Sequence, residues 1–88
     1  MMAITVKFLG SLRREMGEPS RTLWLPDGAT VAELEPHLRA WGLDLDTEQY
    51  IVVLDQRGLK QWPSEHRLTA GAEVMVFPHI AGGADGGK

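Results

Sequence analysis

The chain has no cysteine, only two phenylalanines and one tyrosine, and no apolar run long enough to cross a bilayer. Each absence removes a class of function. Without a thiol the chain cannot offer a cysteine nucleophile, a thiolate zinc site or a persulfide on its own side chains, and nothing ties it to an oxidising compartment. The opening segment MMAITVKFLG carries one lysine and no signal-peptide core, so a soluble cytoplasmic protein without membrane association is expected. Clustered positive charge is also missing. Nine Lys and Arg are spread along the chain against twelve Asp and Glu, for a net charge of -3 at pH 7, which argues against a nucleic-acid partner. Arg13 and Arg14, with Lys7 nearby in sequence, read as a solvated face.

What is present suits one small domain: 88 residues, 43% of them hydrophobic, around a single core. Residues 3–9 alternate Ile4, Val6 and Phe8 against Thr5 and Lys7, the period of a half-buried strand. A short helical turn follows around Leu12 to Met16, closed by Gly17 and stopped by Pro19. RTLWLPDG returns to an extended pattern with Leu23 and Leu25 on one face, and Pro26-Asp27-Gly28 ends it as a turn. TVAELEPHLRAWG is the clearest helix. Thr30 and Glu33 form a capping box, Val31, Leu34, Leu38 and Trp41 share an apolar face, and Gly42 is placed as the C-terminal cap. Pro36 removes a bond to Ala32, so a kink or a tightened first turn is expected there. LDLDTEQ reads as a polar connection and YIVVLD as a strand suited to a central position. LKQW extends or pairs weakly, and PSEHRLTAG is a loop. AEVMVFP alternates again, Val74 and Val76 opposite Met75 and Phe77, and Pro78 ends it. Two strands, a helix and two or more further strands make an α+β domain, and that order suits a β-grasp roll.

Several motifs do not survive inspection. Asp44, Asp46, Glu48 and Asp55 fall at positions one, three, five and twelve of a calcium hand. However, Gln49 stands where the sharp turn needs glycine, Asp55 replaces a bidentate Glu, and IVVL favours a strand. His37, His66 and His79 lack the close pairing of a metal site and read as surface or half-exposed imidazoles. Ser11, Ser20 and Ser64 sit in loops or turns without a nucleophile elbow. GGADGG follows a strand, leads into no helix and lacks the Lys-Ser/Thr of a P-loop. On composition alone AGGADGGK reads as a flexible terminal tail.

The order of elements and the segments ITVKFLGSLRREMG, LPDGATVAEL and HRLTAGAEVMVFPHIAGG together resemble the MoaD and ThiS family of ubiquitin-like sulfur carriers, most closely its MoaD branch. The resemblance covers nearly the whole chain up to Gly83. It implies a ubiquitin-like β-grasp fold, with a mixed sheet of four to five strands on one main helix. The expected domain spans residues 1–81, and residues 82–88 form a flexible glycine-rich tail.

The family's chemistry is carried by a C-terminal glycine, so the resemblance assigns the acyl-adenylate and thiocarboxylate to Gly83 and backbone clearance to Gly82. A free carboxylate resists nucleophiles until it becomes a mixed anhydride, and glycines let the backbone thread a channel that a Cβ would obstruct. The chain would be a co-substrate and no enzyme. It would bind no cofactor itself, ATP being used by an adenylating enzyme of the ubiquitin-activating type, the MoaB, MoeB and ThiF-like class. A MoaE-like large subunit would receive the arm formed by Pro78, His79, Ile80 and Ala81 and use the sulfur in molybdopterin biosynthesis. Met75 and Phe77, beside that arm, are proposed partner contacts, with burial under a loop as the open alternative. Trp24, facing away from Leu23 and Leu25, is a further candidate. The chain departs from the family pattern in having Pro78-His79 for Pro-Pro, Ala70-Gly71-Ala72 for an acidic turn, and ADGGK after Gly83. Cleavage behind Gly83 by a processing protease, removal of Lys88 alone, or an unprocessed and non-conjugating chain all fit that extension, and the first is preferred. Thiamine-thiazole, cysteine or tRNA thiolation, a protein modifier and an inert-tailed interaction module stay open as alternatives.

Overall fold

The computed structural model describes residues 1–46 and 49–79. Strand β1 (Met2–Phe8) buries Ile4, Val6 and Phe8, as the alternation requires. It pairs antiparallel with β2 (Ser20–Leu25), from Met2 opposite Leu25 to Lys7 opposite Ser20. Between them lies the short helix α1 (Leu12–Met16). It stops at Gly17, whose φ of 80° lets its N–H donate to the carbonyls of Arg13 and Arg14 at 3.1 and 3.2 Å.

Helix α2 (Val31–Ala40) starts and stops on the signals in its sequence. The Thr30 N–H donates to the Glu33 carboxylate at 2.9 Å, the reciprocal half of a capping box. Two first-turn amides are taken up by the loop ahead of β5, Val31 donating to the His66 carbonyl and Ala32 to that of Ser64, each at 3.0 Å. At the other end Gly42 donates to Arg39 at 2.9 Å and Leu43 to Leu38 at 3.2 Å, the paired bonds of a Schellman motif, with Gly42 at φ 90°. Val31, Leu34 and Leu38 are buried, and Trp41 is half-buried, its ring edge-on to Phe8 at 6.3 Å. The helix continues unbroken through Pro36.

The remaining strands are β3 (Tyr50–Leu54), β4 (Arg57–Gly58) and β5 (Glu73–Pro78). The sheet order is β2-β1-β5-β3-β4, with β1 and β5 parallel and all other pairs antiparallel. This is the β-grasp arrangement: a mixed five-stranded sheet with the main helix against one face. Its core joins the inward residues of four strands, Val52 and Leu54 and Val74 and Val76 among them, to the apolar face of α2.

Three local expectations are corrected. The polar connection after α2 contributes Leu43 and Leu45 to the core, at 1% and 5% exposure, while its aspartates stay outside. LKQW forms a single 3-10 turn (Leu59–Gln61) behind β4, burying Leu59 and sending the Trp62 Nε1–H to the Leu54 carbonyl at 3.0 Å. The central strand is β5, whereas β3 buries only one side. The domain boundary expected after residue 81 lies outside the described residues. Among the described residues no helix is long and apolar enough to cross a membrane.

Candidate docking face and carrier arm

Period-two alternation gives the sheet a second face, away from α2, and the strand registers say which side chains share it. Met75 lies opposite Lys7 on β1 and Val53 on β3, and Phe77 lies opposite Ile51. Met75, Phe77 and Val53 are half-buried and Ile51 is 41% exposed, so four apolar side chains from two neighbouring strands form one patch. Beside it the Lys7 ammonium pairs with the Glu73 carboxylate at 2.8 Å, which leaves the rim polar but neutral.

Trp24 is on the same face and 59% exposed, opposite Ala3. It stands two strands and four residues from Met75, roughly 16 Å away by strand spacing and rise. The structure thus joins Met75 and Phe77 into one cluster and sets Trp24 at the far corner. Ile51 and Val53 complete the cluster and were not singled out in the sequence. Inside the run YIVVL every position is apolar, so only the register with β5 tells which residues face outward.

The end of β5 is held from both sides. On one side Leu9 donates to the Val76 carbonyl at 2.9 Å. Gly10, at φ 59°, lies so close that a Cβ there would stand 3.4 Å from Cγ of Pro78. On the other side the His79 N–H donates to the Gln49 carbonyl at 2.8 Å. Pro78 is half-buried and His79 exposed, so the described chain ends on a clamped base at the middle of the sheet. Ile80, Ala81, Gly82 and Gly83 lie outside the described residues.

The charged groups near that base are simply placed. Arg13 and Arg14 are exposed on α1 and make no ion pair among the described residues, while Lys7 belongs to the sheet face. Of the calcium-like set, Asp46 is engaged elsewhere: Arg39 donates to its carboxylate at 2.7 Å and holds it below the usual carboxylate range. Asp44 accepts the Asp46 N–H at 3.0 Å, and Glu48 lies outside the described residues. His66 stacks on Trp62 at 4.2 Å, and His37 is exposed. Among the described residues no three His, Asp or Glu stand close enough together to hold a metal ion. The arrangement sets an apolar patch on the outward face of the sheet, continuous with the strand that ends at Pro78.

The family model described as the ThiS family matches residues 6–83, from the first strand to the second glycine of the first Gly-Gly pair. No curated protein sequence matches this chain. Among solved structures, the HVO 2177 protein of Haloferax volcanii is similar at 25% identity and a TM-score of 0.68, over 92% of this chain and 86% of that one. A candidate molybdopterin converting factor subunit 1 from Pyrococcus furiosus is 20% identical with a TM-score of 0.67, over 89% and 98% of the two chains. The small archaeal modifier protein 1 of Haloferax volcanii is 17% identical with a TM-score of 0.66, over 96% and 99%. At identities of 20% and below these likenesses show the fold alone.

Proposed function

This chain belongs to the ThiS family of ubiquitin-like sulfur carriers, and from that premise we propose that it carries sulfur on a C-terminal glycine, Gly83, for molybdopterin biosynthesis in the cytoplasm. The observation that supports this reading most directly is the coincidence of two ends. The family match finishes at Gly83, and the central strand finishes in a clamped base at His79, four residues earlier. Four residues reach at most about 14 Å, a short arm of the kind a partner's channel can receive.

The chemistry needs nothing from the side chains of the domain. The terminal carboxylate attacks the α-phosphorus of ATP in an adenylating enzyme of the ubiquitin-activating type, pyrophosphate leaves, and hydrosulfide then displaces AMP and loses its proton to give the thiocarboxylate. The chain itself acts as co-substrate. Gly82 supplies the clearance, Pro78 to Ala81 form the arm, and Met75 and Phe77 with Ile51 supply apolar contact for the adenylating enzyme and then for a MoaE-like subunit. In this reading a protease removes residues 84–88 to free Gly83.

Two experiments test it. Mass spectrometry of the protein from its native cell under sulfur demand should find chains ending at Gly83, some with one oxygen replaced by sulfur; a population ending only at Lys88 would refute the processing step. Incubation of a chain ending at Gly83 with the adenylating enzyme and ATP should release pyrophosphate, and deletion after Ala81 should abolish it. Isopeptide-linked products in place of a thiocarboxylate would make the chain a protein modifier, which shares the adenylate.

A further inference from the structure

One margin of the sheet is left open where it could be closed. β4 is two residues long and pairs only with Val53 and Leu54, so Tyr50, Ile51 and Val52 have β5 on one side and, among the described residues, no strand on the other. The β3–β4 turn is Asp55-Gln56, with φ of 47° and 71°, the positive values that a two-residue type I′ hairpin demands. In such a hairpin the flanking pair, Leu54 and Arg57, exchanges hydrogen bonds. Alternation then turns the backbone groups of Val52 and Tyr50 outward and those of Val53 and Ile51 toward β5. Bonds at both ends of β3 agree with this phase: Asp55 donates to the Glu73 carbonyl at 3.3 Å, and the Gln49 carbonyl accepts from His79 at 2.8 Å. The outward N–H and C=O groups of Tyr50 and Val52 meet no backbone partner among the described residues.

An open edge in water is ordinary, but this one lies in a groove of about 440 Å³, within the size range of binding clefts. Leu45, Val52 and Leu59 give it an apolar lining, and its charged residues are Arg39 and Glu35 from α2 together with Asp46 and Lys60. The two cations differ. Arg39 is committed to Asp46 at 2.7 Å and Glu35 at 3.8 Å, whereas Lys60 acts on the Asp46 carboxylate only from a distance and makes no ion-pair contact among the described residues. The free edge of β3 is about 10 Å long, room for three residues of an extended chain.

We infer that this edge takes an extended segment of a partner protein as an added strand, an apolar residue of that segment lying over Leu45, Val52 and Leu59 and an acidic residue against Lys60. Main-chain bonds to Tyr50 and Val52 give the affinity, and the apolar lining and Lys60 give the choice of sequence. The site goes beyond the carrier reading: it lies on the side of β3 away from β5 and uses no part of the arm beyond His79.

The probe is a capped hexapeptide of alternating Val and Ile with Asp at both ends, titrated into the full chain and followed by backbone amide NMR. Saturable shifts should centre on the Tyr50 and Val52 amides, with hydrogen exchange there slowed about tenfold or more. Lys60→Glu should weaken the peptide about two- to fivefold and prefer a peptide with Lys in place of Asp. N-methylation of the peptide nitrogen opposite Val52 should abolish binding. Leu45 and Leu59 belong to the core, so the test rests on Lys60→Glu and the methylated peptide, which leave the core intact. No saturable shift at about 1 mM peptide, or shifts confined to Met75 and Phe77, would overturn the inference. So would slow exchange at Tyr50 and Val52 without peptide, whether it depends on concentration, as a second copy requires, or vanishes on deleting residues 80–88. Adenylation of Gly83 should be unchanged by the peptide, which separates failure here from failure of the carrier reading.

Discussion

If the open sheet face docks the adenylating enzyme, the distance between Trp24 and Phe77 sets how their contributions combine. A standard interface covers about 800 Å² per partner, a patch roughly 30 Å across, so one partner can cover both positions. An aromatic side chain exposes 150–250 Å² when free, and Trp24 keeps 59% of its surface in water, so docking would cover about 130 Å². At ~25 cal/mol per Å² that amounts to about 3 kcal/mol, an upper bound near a hundredfold in Kd. Ile51, at 41% exposure, contributes about 1 kcal/mol by the same arithmetic, about fivefold. Trp24 and Phe77 stand too far apart to share partners, so Trp24→Ala and Phe77→Ala should add to within about 0.5 kcal/mol. Ile51 and Phe77 are register partners, so their double variant should depart from additivity by about 0.5 kcal/mol or more. Isothermal titration of the adenylating enzyme with the wild-type chain, the three single variants and the two doubles would measure these numbers, with thermal unfolding as the control for folding. An inert Trp24→Ala beside a damaging Phe77→Ala would confine the contact to β3 and β5. Three inert single variants would refute docking on this face.

Other expectations follow from single features. Asp46→Asn should remove an acid-limb contribution to stability: Arg39 lowers the folded carboxyl below its ordinary value, so the benefit is complete above the usual carboxylate range and fades as pH falls below it. Urea unfolding at neutral and acid pH would show the variant's deficit shrinking toward low pH. Gly42→Ala should cost about 1–2 kcal/mol, because φ is 90° there and the cap bonds depend on it, lowering Tm by about 4–8 °C per kcal/mol in calorimetry. Leu45→Ala should cost about 2–5 kcal/mol by urea unfolding if that residue is core, and under about 0.5 kcal/mol if the segment is only a connection.

Local signals carried most of the fold. The alternation of Ile4, Val6 and Phe8, the Thr30–Glu33 box and Gly42 each specify their structure within a few residues of chain, and the structure follows them. Leu43 and Leu45 are hidden from a sequence reading because their alternation with Asp44 and Asp46 resembles a solvated loop, and only tertiary packing places them in the core. The central place of β5 was illegible for another reason. Its partners on β1 lie 68 residues away in sequence, Phe8 opposite Val76, and no local pattern encodes a pairing of that range. The same holds for the docking face. Met75 and Phe77 could be proposed from alternation, but Ile51 and Val53 join them only through register, and the β3 groove exists only because β4 stops after two residues.

The parallel pairing of β1 with β5 also has a mechanical meaning. The start of the first strand and the end of the last point to opposite ends of the sheet, so tension applied between the body of the domain and its arm runs along both strands. Such a load strains the bonds between them in shear, all together, and cannot open them one at a time as it would at the end of a hairpin. A partner that pulled on the end of β5 would therefore load the β1–β5 pairing in shear, the direction in which many bonds must fail together.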